Sequence, residues 1–538
     1  MKRQDFLKGS LILMVSAAAA KLLGAVFRIP LTNMLGGVGM SCFSCAYTIF
    51  LPVYSFITAG ISSSVAHMTA RSRALGLGGD TLRIRRTAIA VFSAAGLLGS
   101  VMILLLAVPF SRWSCGSDEA VPAIMMIAPV VLTGCIVSAE RGYYEGMSDM
   151  YPTAVSQTVE GAVRAAAGLL LCGYTVRHGD ELLRCFPQLD DVRPLAAAAG
   201  ILGVTLGSFG ALLFFGALRL FPGCVPENRV TSQMRRRETA AELVRTALPA
   251  GIGAVVTNLS AVVDMCTVIM CVRVPEVMPA GVLPEDYPRF VYGSFAGMAL
   301  TVFNLVPGIT NMLGKGILPP VTEAWASGRS EELERRSVQA LFTAAAAAVP
   351  CAAGLGLLSG QVLAVLFPER AAEAAVCTGA LRLLMPGMVF LCLSFPLFSM
   401  LQAIGRPADQ VRIMLAGTAV KLCGNLALVP HMGAAGAAVS TSVCYAVILV
   451  LALHRYCSCT GVRLRTGSFA AVAYSGVLCA GAAYLAMSIA GRCGGGALVQ
   501  TVSAAAAGGA AYITALSATA RRELFPEKNT TGSRRAAC

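Results

Sequence analysis

Runs of about 20 mostly apolar residues recur along nearly the whole chain, from 7–29 at the start to 497–519 near the end. A helix of about 20 residues matches the thickness of a bilayer's hydrocarbon core and satisfies its own backbone hydrogen bonds there. The runs lack the alternation of apolar and polar residues that the strands of a membrane barrel require. The sequence therefore predicts an all-α polytopic membrane protein with about 14 transmembrane helices.

The charge content supports this class. Only 13% of the 538 residues are charged, against roughly 25% in soluble proteins, and 56% are hydrophobic. No polar stretch is long enough to fold as a separate aqueous domain, which excludes an enzyme with a large soluble catalytic domain. The net charge of +14 is interpreted as a determinant of topology, so we expect no nucleic-acid partner.

The basic residues are distributed unevenly among the connections between spans. About 28 of the 42 Lys and Arg fall in alternate connections and the two termini, and about 8 fall in the other connections. Basic connections stay on the cytoplasmic side of a membrane. The sequence therefore predicts a multi-pass protein of the cytoplasmic (plasma) membrane with both termini in the cytoplasm.

A weak internal repeat divides the chain. An acid-x-x-base pattern stands before span 1 at 5–8 and again before span 7 at 242–245. Arg164 and Lys421 follow Glu145 and Gln402 by the same spacing in the two halves. Six spans per half predict parallel repeats around a central cavity. The predicted organisation is an N-terminal lobe at 1–220, a cytoplasmic linker at 221–242, a C-terminal lobe at 243–457, two extra spans within 458–519 and a cytoplasmic tail at 520–538.

Two cations lie on one face of the first span. Lys21 and Arg28 are two helical turns apart, about 10.5 Å along the axis, with no acid on the same helix. A charge at the centre of a spanning helix costs about 2.5–3.5 kcal/mol and requires a partner, water or a function. The pattern favours a water-filled cavity that binds an anionic ligand. The alternative is that Arg28 reaches the outer headgroups while Lys21 packs near a carbonyl.

A second polar face follows in the span near 290–318. Asn304, Asn311 and Lys315 stand at intervals of seven and four residues, which predicts that they line the same cavity. The alternative for Lys315 is a place at the cytoplasmic boundary. The glycines around Lys315 lack the spacing of a phosphate-binding loop, so we predict no ATP site.

The remaining charges within spans are interpreted as structural or coupling groups. Glu160 and Arg164 are four residues apart, which predicts an ion pair that offsets its own desolvation. Asp264 has no basic residue one turn away, so it is protonated, pairs with a cation on another span, or binds Na⁺ or H⁺ for coupling. Lys421 is the buried cation of the second half. The membrane potential is a further candidate energy source.

Cysteine is abundant without indicating metal chemistry. Most of the 19 Cys lie within apolar runs, and the CxxC spacing of Cys42 and Cys45 has no second paired motif near it. We therefore predict small packing residues, no metal site and no resident cofactor.

Several segments resemble one family of membrane transporters. They are KGSLILMVSAAAAKLLGAVFRIPLTNMLG in span 1, RGYYEGMSDMYPTAVSQTVEGAVRAAAGLLL at 141–171, and LQAIGRPADQVRIMLAGTAVKLCGNLALVP at 401–430. The family is the polysaccharide-biosynthesis and stage V sporulation protein B-like branch of the multidrug/oligosaccharidyl-lipid/polysaccharide (MOP) flippase superfamily, related to lipid II flippases. The chain departs from the usual pattern with Lys21, where Arg is frequent, and with Glu145, where Gln is usual.

The resemblance implies two six-helix lobes in a V shape plus two C-terminal helices. It also implies a flippase, not an enzyme, that moves an undecaprenyl-pyrophosphate-linked oligosaccharide or peptidoglycan precursor by alternating access. Lys21 and Arg28 correspond to cations that line the central cavity in related flippases. The implied partners are a lipid-linked anionic glycan, membrane lipids and enzymes of cell-envelope biosynthesis.

Two alternatives remain at this stage. A cation-coupled multidrug exporter of the same superfamily should have an acidic cavity. A membrane-embedded enzyme acting on polyprenyl-linked sugars should have acidic catalytic residues in sizeable outer loops.

Overall fold

The computed structural model describes residues 6–185, 191–220, 235–276, 278–279, 282–462 and 467–524. Within these ranges the chain is almost entirely helical and contains no strand, which confirms the predicted all-α class. The first part of the predicted linker, up to residue 234, lies outside the described residues. So does the predicted tail beyond residue 524.

The helices follow one another with short connections. Those of the first half are α1 (Phe6–Thr58), α2 (Ile61–Ala74), α3 (Gly78–Cys115), α4 (Val121–Ile127), α5 (Pro129–Gly146), α6 (Tyr151–Arg177), α7 (Gly179–Cys185), α8 (Arg193–Leu220) and α9 (Arg236–Cys271). A 3₁₀ turn (Pro284–Asp286), α10 (Tyr287–Ser294), a π-helical turn (Phe295–Ala299) and α11 (Leu300–Phe303) come next. The others are α12 (Leu305–Ala326), α13 (Ser330–Leu357), α14 (Ser359–Leu366), α15 (Ala371–Ala403), α16 (Pro407–Met432), α17 (Ala434–Thr460), α18 (Gly467–Arg492) and α19 (Ala497–Leu524).

Most of these helices have the length and hydropathy of membrane spans. Twelve segments within the described residues qualify, or 13 if Pro284–Phe303 and Leu305–Ala326 form one span. The segment Ala18–Ala74 has 57 residues. At 1.5 Å per residue it is about 85 Å long, enough for two crossings of a core about 30 Å thick. The chain is a multi-pass membrane protein, and the count of 14 spans stays a prediction.

The apolar surface of the helices fits a lipid environment. Large aliphatic side chains such as Leu98, Leu105 and Leu213 are exposed on α3 and α8, where only lipid can cover them favourably. Proline occurs inside several spans, including Pro30 and Pro52 of α1. Neighbouring helices and side chains can satisfy the carbonyls that such prolines free.

The chain forms two compact units. Unit 1 comprises Met1–Leu305, Leu366–Ala380 and Ala408–Cys444, and unit 2 comprises Val306–Val365, Leu381–Pro407 and Tyr445–Cys538. This grouping differs from the predicted lobes, whose boundaries stay a prediction. The start of α9 at Arg236 makes the last residues of the predicted linker helical.

The core of unit 1 combines aromatic rings with a buried ion pair. Tyr144 stacks on Phe215, with ring centroids 5.8 Å apart. The guanidinium of Arg85 lies 4.8 Å from the centre of the Tyr143 ring and pairs with the carboxylate of Glu140 at 2.7 Å. Elsewhere in this unit α6 and α8 approach so closely that a methyl group on Gly203 would overlap the backbone of α6. Gly203 and Gly207 stand four residues apart on α8, a spacing of small residues that allows helix backbones to approach closely.

In unit 2 the C-terminal helices α18 and α19 pack against α13. Phe342 and Ala345 of α13 pack against Val472 of α18 in a small apolar cluster. The hydroxyl of Tyr512 on α19 donates to the carbonyl of Ala346 at 3.0 Å. The two C-terminal spans are therefore anchored on α13 by both apolar contacts and a hydrogen bond.

Candidate functional site

Arg28 is held by an irregular turn of a neighbouring helix in unit 1. Its Nη2 donates to the carbonyl of Ala296 at 3.1 Å, and Thr32, one turn later, donates to the carbonyl of Gly297 at 3.3 Å. Both carbonyls belong to the π-helical turn Phe295–Ala299, where the regular hydrogen-bond ladder is interrupted. The Nε of Arg28 is buried and has no hydrogen-bond partner among the described residues. Arg28 is thus a partly buried cation with an unused donor.

A second cationic group lies on α5 and α6 of the same unit. Glu160 accepts from Arg164 at 3.0 Å and from Arg141 at 2.8 Å. Arg141 also donates from Nε to the hydroxyl of Ser156 at 2.9 Å. The predicted contact between Glu160 and Arg164 is present, although its role stays a prediction. The Nε of Arg164 is buried without a partner in the described part of the chain.

Arg141 is the residue that sequence reasoning missed at this site. The apolar run at 120–140 predicts a span that ends before Arg141 and so places this residue in a connection. Helix α5 instead continues to Gly146, so Arg141 lies inside the helix and reaches Glu160. Its position at the start of the RGYYEG motif was the available signal.

Tyr47 links the two cationic groups. Its phenol lies within electrostatic range of Arg28, Arg164 and Glu160. Within that range two cations, Arg28 and Arg164, face one carboxylate, that of Glu160. Such an excess in a region of low dielectric favours an anion.

Lys21 is exposed on the first half of α1. It lies two turns before Arg28 on α1 and makes no hydrogen bond or ion pair to the described residues. Its ammonium group is therefore available to bind a ligand, water or a lipid headgroup. The predicted shared role of Lys21 and Arg28 stays a prediction.

The predicted polar face of the span near 290–318 is divided between the two units. Asn304 lies at the junction of α11 and α12 in unit 1 and donates to the carbonyl of Leu300 at 2.7 Å. Asn311, on α12 in unit 2, is half-buried. The backbone of Lys315 is helical, and its side chain lies outside the described part of the structure. The cavity-lining role of these three residues stays a prediction.

Asp264 has a cation from another helix as its partner. Its carboxylate lies 2.6 Å from the Nζ of Lys421 on α16, and the two side chains are only 4% and 3% exposed. Asn425 donates to the same carboxylate at 3.1 Å and to Thr267 at 2.8 Å, while Lys421 also donates to Ser260 at 2.9 Å. Of the options left open by the sequence, the pairing with another span is present. A coupling role stays a prediction.

A cavity of about 470 Å³ opens elsewhere in unit 1, at the ends of α9 and α16. Arg273, Tyr287 and His431 are among the residues that line it. None of the predicted substrate residues does.

Two family models match the chain, and together they cover most of it. The polysaccharide biosynthesis protein model matches residues 6–326, and the lipid II flippase MurJ model matches residues 198–499. Stage V sporulation protein B of Bacillus subtilis is 22% identical over 84% of this chain and 83% of its own length. Lipid II flippase MurJ of the same organism is 22% identical over 82% of this chain and 81% of its own length.

Solved structures show the same fold. A lipid II flippase MurJ in an inward closed conformation superposes with a TM-score of 0.70 at 13% identity, over 96% of this chain and 100% of that one. A MOP superfamily transporter from Pyrococcus furiosus gives a TM-score of 0.58 at 14% identity, over 85% and 97%. Since each family model matches more than half of the chain, the chain belongs to the polysaccharide biosynthesis protein family, in the branch of the MOP superfamily that includes the MurJ flippases.

Proposed function

We propose that this protein is a flippase that moves an undecaprenyl-pyrophosphate-linked oligosaccharide or peptidoglycan precursor across the cytoplasmic membrane by alternating access. The observation that carries the proposal is the excess of cations around Tyr47, where two buried guanidinium nitrogens have no partner in the described structure. Family membership and the names of the relatives support a transporter rather than an enzyme.

The chemistry of the headgroup fits these cations. A pyrophosphate diester carries roughly two negative charges, and charge-assisted hydrogen bonds to it are about twice as strong as neutral ones. A guanidinium presents a planar fork that matches two phosphate oxygens, and Arg28 and Arg164 each have a buried Nε without a hydrogen-bond partner among the described residues. Lys21, two turns along α1, would add a mobile point charge. Binding would therefore replace part of the hydration that the headgroup loses.

The orientation follows from the basic connections. We place both termini and the linker in the cytoplasm, where lipid-linked precursors are assembled, and the short connections near 177–193 and 272–289 outside. The polyprenyl tail would remain in the bilayer while the headgroup passes through the cavity. Enzymes that make or use the glycan are the partners that this role requires.

The acidic side chains argue against a site for cationic drugs. Such a site needs a carboxylate that is free to pair with the ligand. The carboxylate of Glu160 already pairs with two arginines, and that of Asp264 pairs with Lys421. We retain the Asp264–Lys421 pair as the candidate for Na⁺ or H⁺ coupling.

A translocation assay in proteoliposomes tests this function. The purified protein is offered fluorescent polyprenyl lipids whose sugar is joined through a pyrophosphate or a monophosphate, and a cationic dye in parallel. We expect the pyrophosphate lipids to be flipped fastest and the dye not to be exported. Export of the dye without flipping of any lipid would establish the drug exporter instead.

A further inference from the structure

Helix α1 is interrupted at Gly36, between the half that carries Lys21 and Arg28 and the half that follows. Gly36 has φ 65° and ψ −171°, a conformation that side chains other than glycine's disfavour. In a regular helix the carbonyls of Asn33 and Met34 would accept the amides of Gly37 and Val38. The interruption frees these groups within a membrane span, where each must find another partner.

Two side chains from another segment of unit 1 supply those partners. Arg370, between α14 and α15, donates from Nε to the carbonyl of Asn33 at 2.9 Å and from Nη2 to the carbonyl of Met34 at 3.0 Å. The freed amide of Gly37 donates to the Oε1 of Glu373 at 3.4 Å. Arg370 and Glu373 thus supply partners for both carbonyls and for the amide of Gly37.

Further contacts tie the same two segments together. The side-chain amide of Asn33 donates to the carbonyl of Leu366 at 2.8 Å. The guanidinium of Arg370 lies 3.8 Å from the carboxylate of Glu373, which is only 10% exposed. A methyl group on Gly36 would lie 2.8 Å from the Nη1 of Arg370, so the guanidinium fits against a glycine. The uneven distribution of basic residues among the connections places this cluster on the predicted outer side of the membrane. There the cluster joins a span of the predicted N-terminal lobe to a connection of the predicted C-terminal lobe.

The cluster has two satisfied states. When Arg370 and Glu373 are engaged, side chains hold the freed backbone groups of α1. When they withdraw, α1 can straighten and remake its own bonds from Gly37 to Asn33 and from Val38 to Met34. Because the carbonyls of Asn33 and Met34 and the amide of Gly37 have partners in both states, the two states can interconvert without a large penalty.

We propose that Arg370, Glu373 and Asn33 form a latch that keeps the outer side closed by holding the kink in α1, and that the latch opens each time a headgroup is released outward. This inference rests on the proposed function. Arg370 is a positioning residue, since it acts on the half of α1 that carries the cations and not on the substrate.

The test measures the opening of the outer side directly. Spin labels on bioorthogonal side chains at Asp118 and Glu369, both exposed and in unit 1, report the distance between the α3–α4 connection and the latch segment. In proteoliposomes without substrate, Arg370→Ala should raise the population at the longer distance about tenfold, because two charge-assisted hydrogen bonds are lost. Arg370→Lys should give an intermediate population, since one ammonium cannot bridge two carbonyls.

Two further variants keep the test decisive. Gly36→Ala should shift the population in the same direction with Arg370 still present, because its methyl group displaces the guanidinium. Arg177→Ala, an exposed arginine at the end of α6, should match the wild-type distribution.

The outcomes separate this proposal from the proposed function. The wild type should show the longer distance while it flips lipid. Flipping without that population, or unchanged distances in Arg370→Lys and Gly36→Ala, would overturn the latch and leave the flippase standing. Absence of flipping by the wild type would overturn the proposed function whatever the distances are.

Discussion

Replacing Glu160 with glutamine removes the carboxylate that two partly buried arginines share. Arg141 and Arg164 lie 2.8 and 3.0 Å from it, with side chains 15% and 29% exposed. Removing one partner of a buried pair costs about 3–5 kcal/mol, because the remaining charge is left uncompensated. Over a chain of this length, such a loss corresponds to a fall of about 3–4 °C in the midpoint of thermal unfolding. We expect that fall in detergent, together with lower abundance in the membrane.

Second substitutions should recover part of the loss. Sequence spacing alone predicts that Arg164→Gln rescues Glu160→Gln. In the structure Arg141 is more deeply buried than Arg164, and it would remain as an uncompensated cation. Its hydrogen bond to the hydroxyl of Ser156 does not neutralise that charge. Arg141→Gln should therefore rescue more than Arg164→Gln, and the triple variant should recover most.

A second ion-pair group that also consists of one glutamate and two arginines, but with more exposed arginines, provides the control. Glu332 binds Arg335 and Arg336 at 2.7 Å each, at the more exposed start of α13. Exposed pairs contribute about 0–1 kcal/mol, so Glu332→Gln should leave the midpoint nearly unchanged. If Glu160→Gln is as stable as Glu332→Gln, the reasoning about a stranded charge is wrong.

Three further predictions follow from the topology and the buried charges. Reporter tags near Arg236 should be cytoplasmic and tags near Glu285 should be outside; the reverse would contradict the orientation. Asp264→Asn should lower abundance because it strands Lys421 at 3% exposure, and Lys421→Met should restore it in the double variant; no rescue would show that the pair is not the cause. Arg28→Lys should slow flipping if the guanidinium grips phosphate with two bonds, whereas a rate equal to the wild type would indicate a general positive field.

Much of the fold followed from local sequence properties. Apolar runs specify spanning helices because the bilayer allows few other conformations. The contact between Glu160 and Arg164 was predictable because four residues on a helix bring side chains together. The lack of a basic neighbour one turn from Asp264 left protonation, pairing with another span and ion coupling open, and the structure contains the pairing.

The rest depends on contacts between distant segments. The carbonyl that holds Arg28 comes from Ala296, and Arg370 contacts α1 from 337 residues away in the sequence. Neither the π-helical turn nor the kink at Gly36 carries a periodic signal. Such positions are determined by tertiary packing, which a single sequence does not display.

The measurement that tests the central claim most directly is the flipping rate of single-cation variants. Arg28→Ala and Lys21→Ala are compared with wild type and with Arg177→Ala in proteoliposomes that contain a fluorescent pyrophosphate-linked glycolipid. In the proposed mechanism each variant loses a charge-assisted contact with the headgroup, so we predict flipping at least about tenfold slower, at normal protein abundance. Arg177→Ala should flip at the wild-type rate. If Arg28→Ala and Lys21→Ala also flip at that rate, the cations of α1 do not bind the substrate, and the account of this site is contradicted.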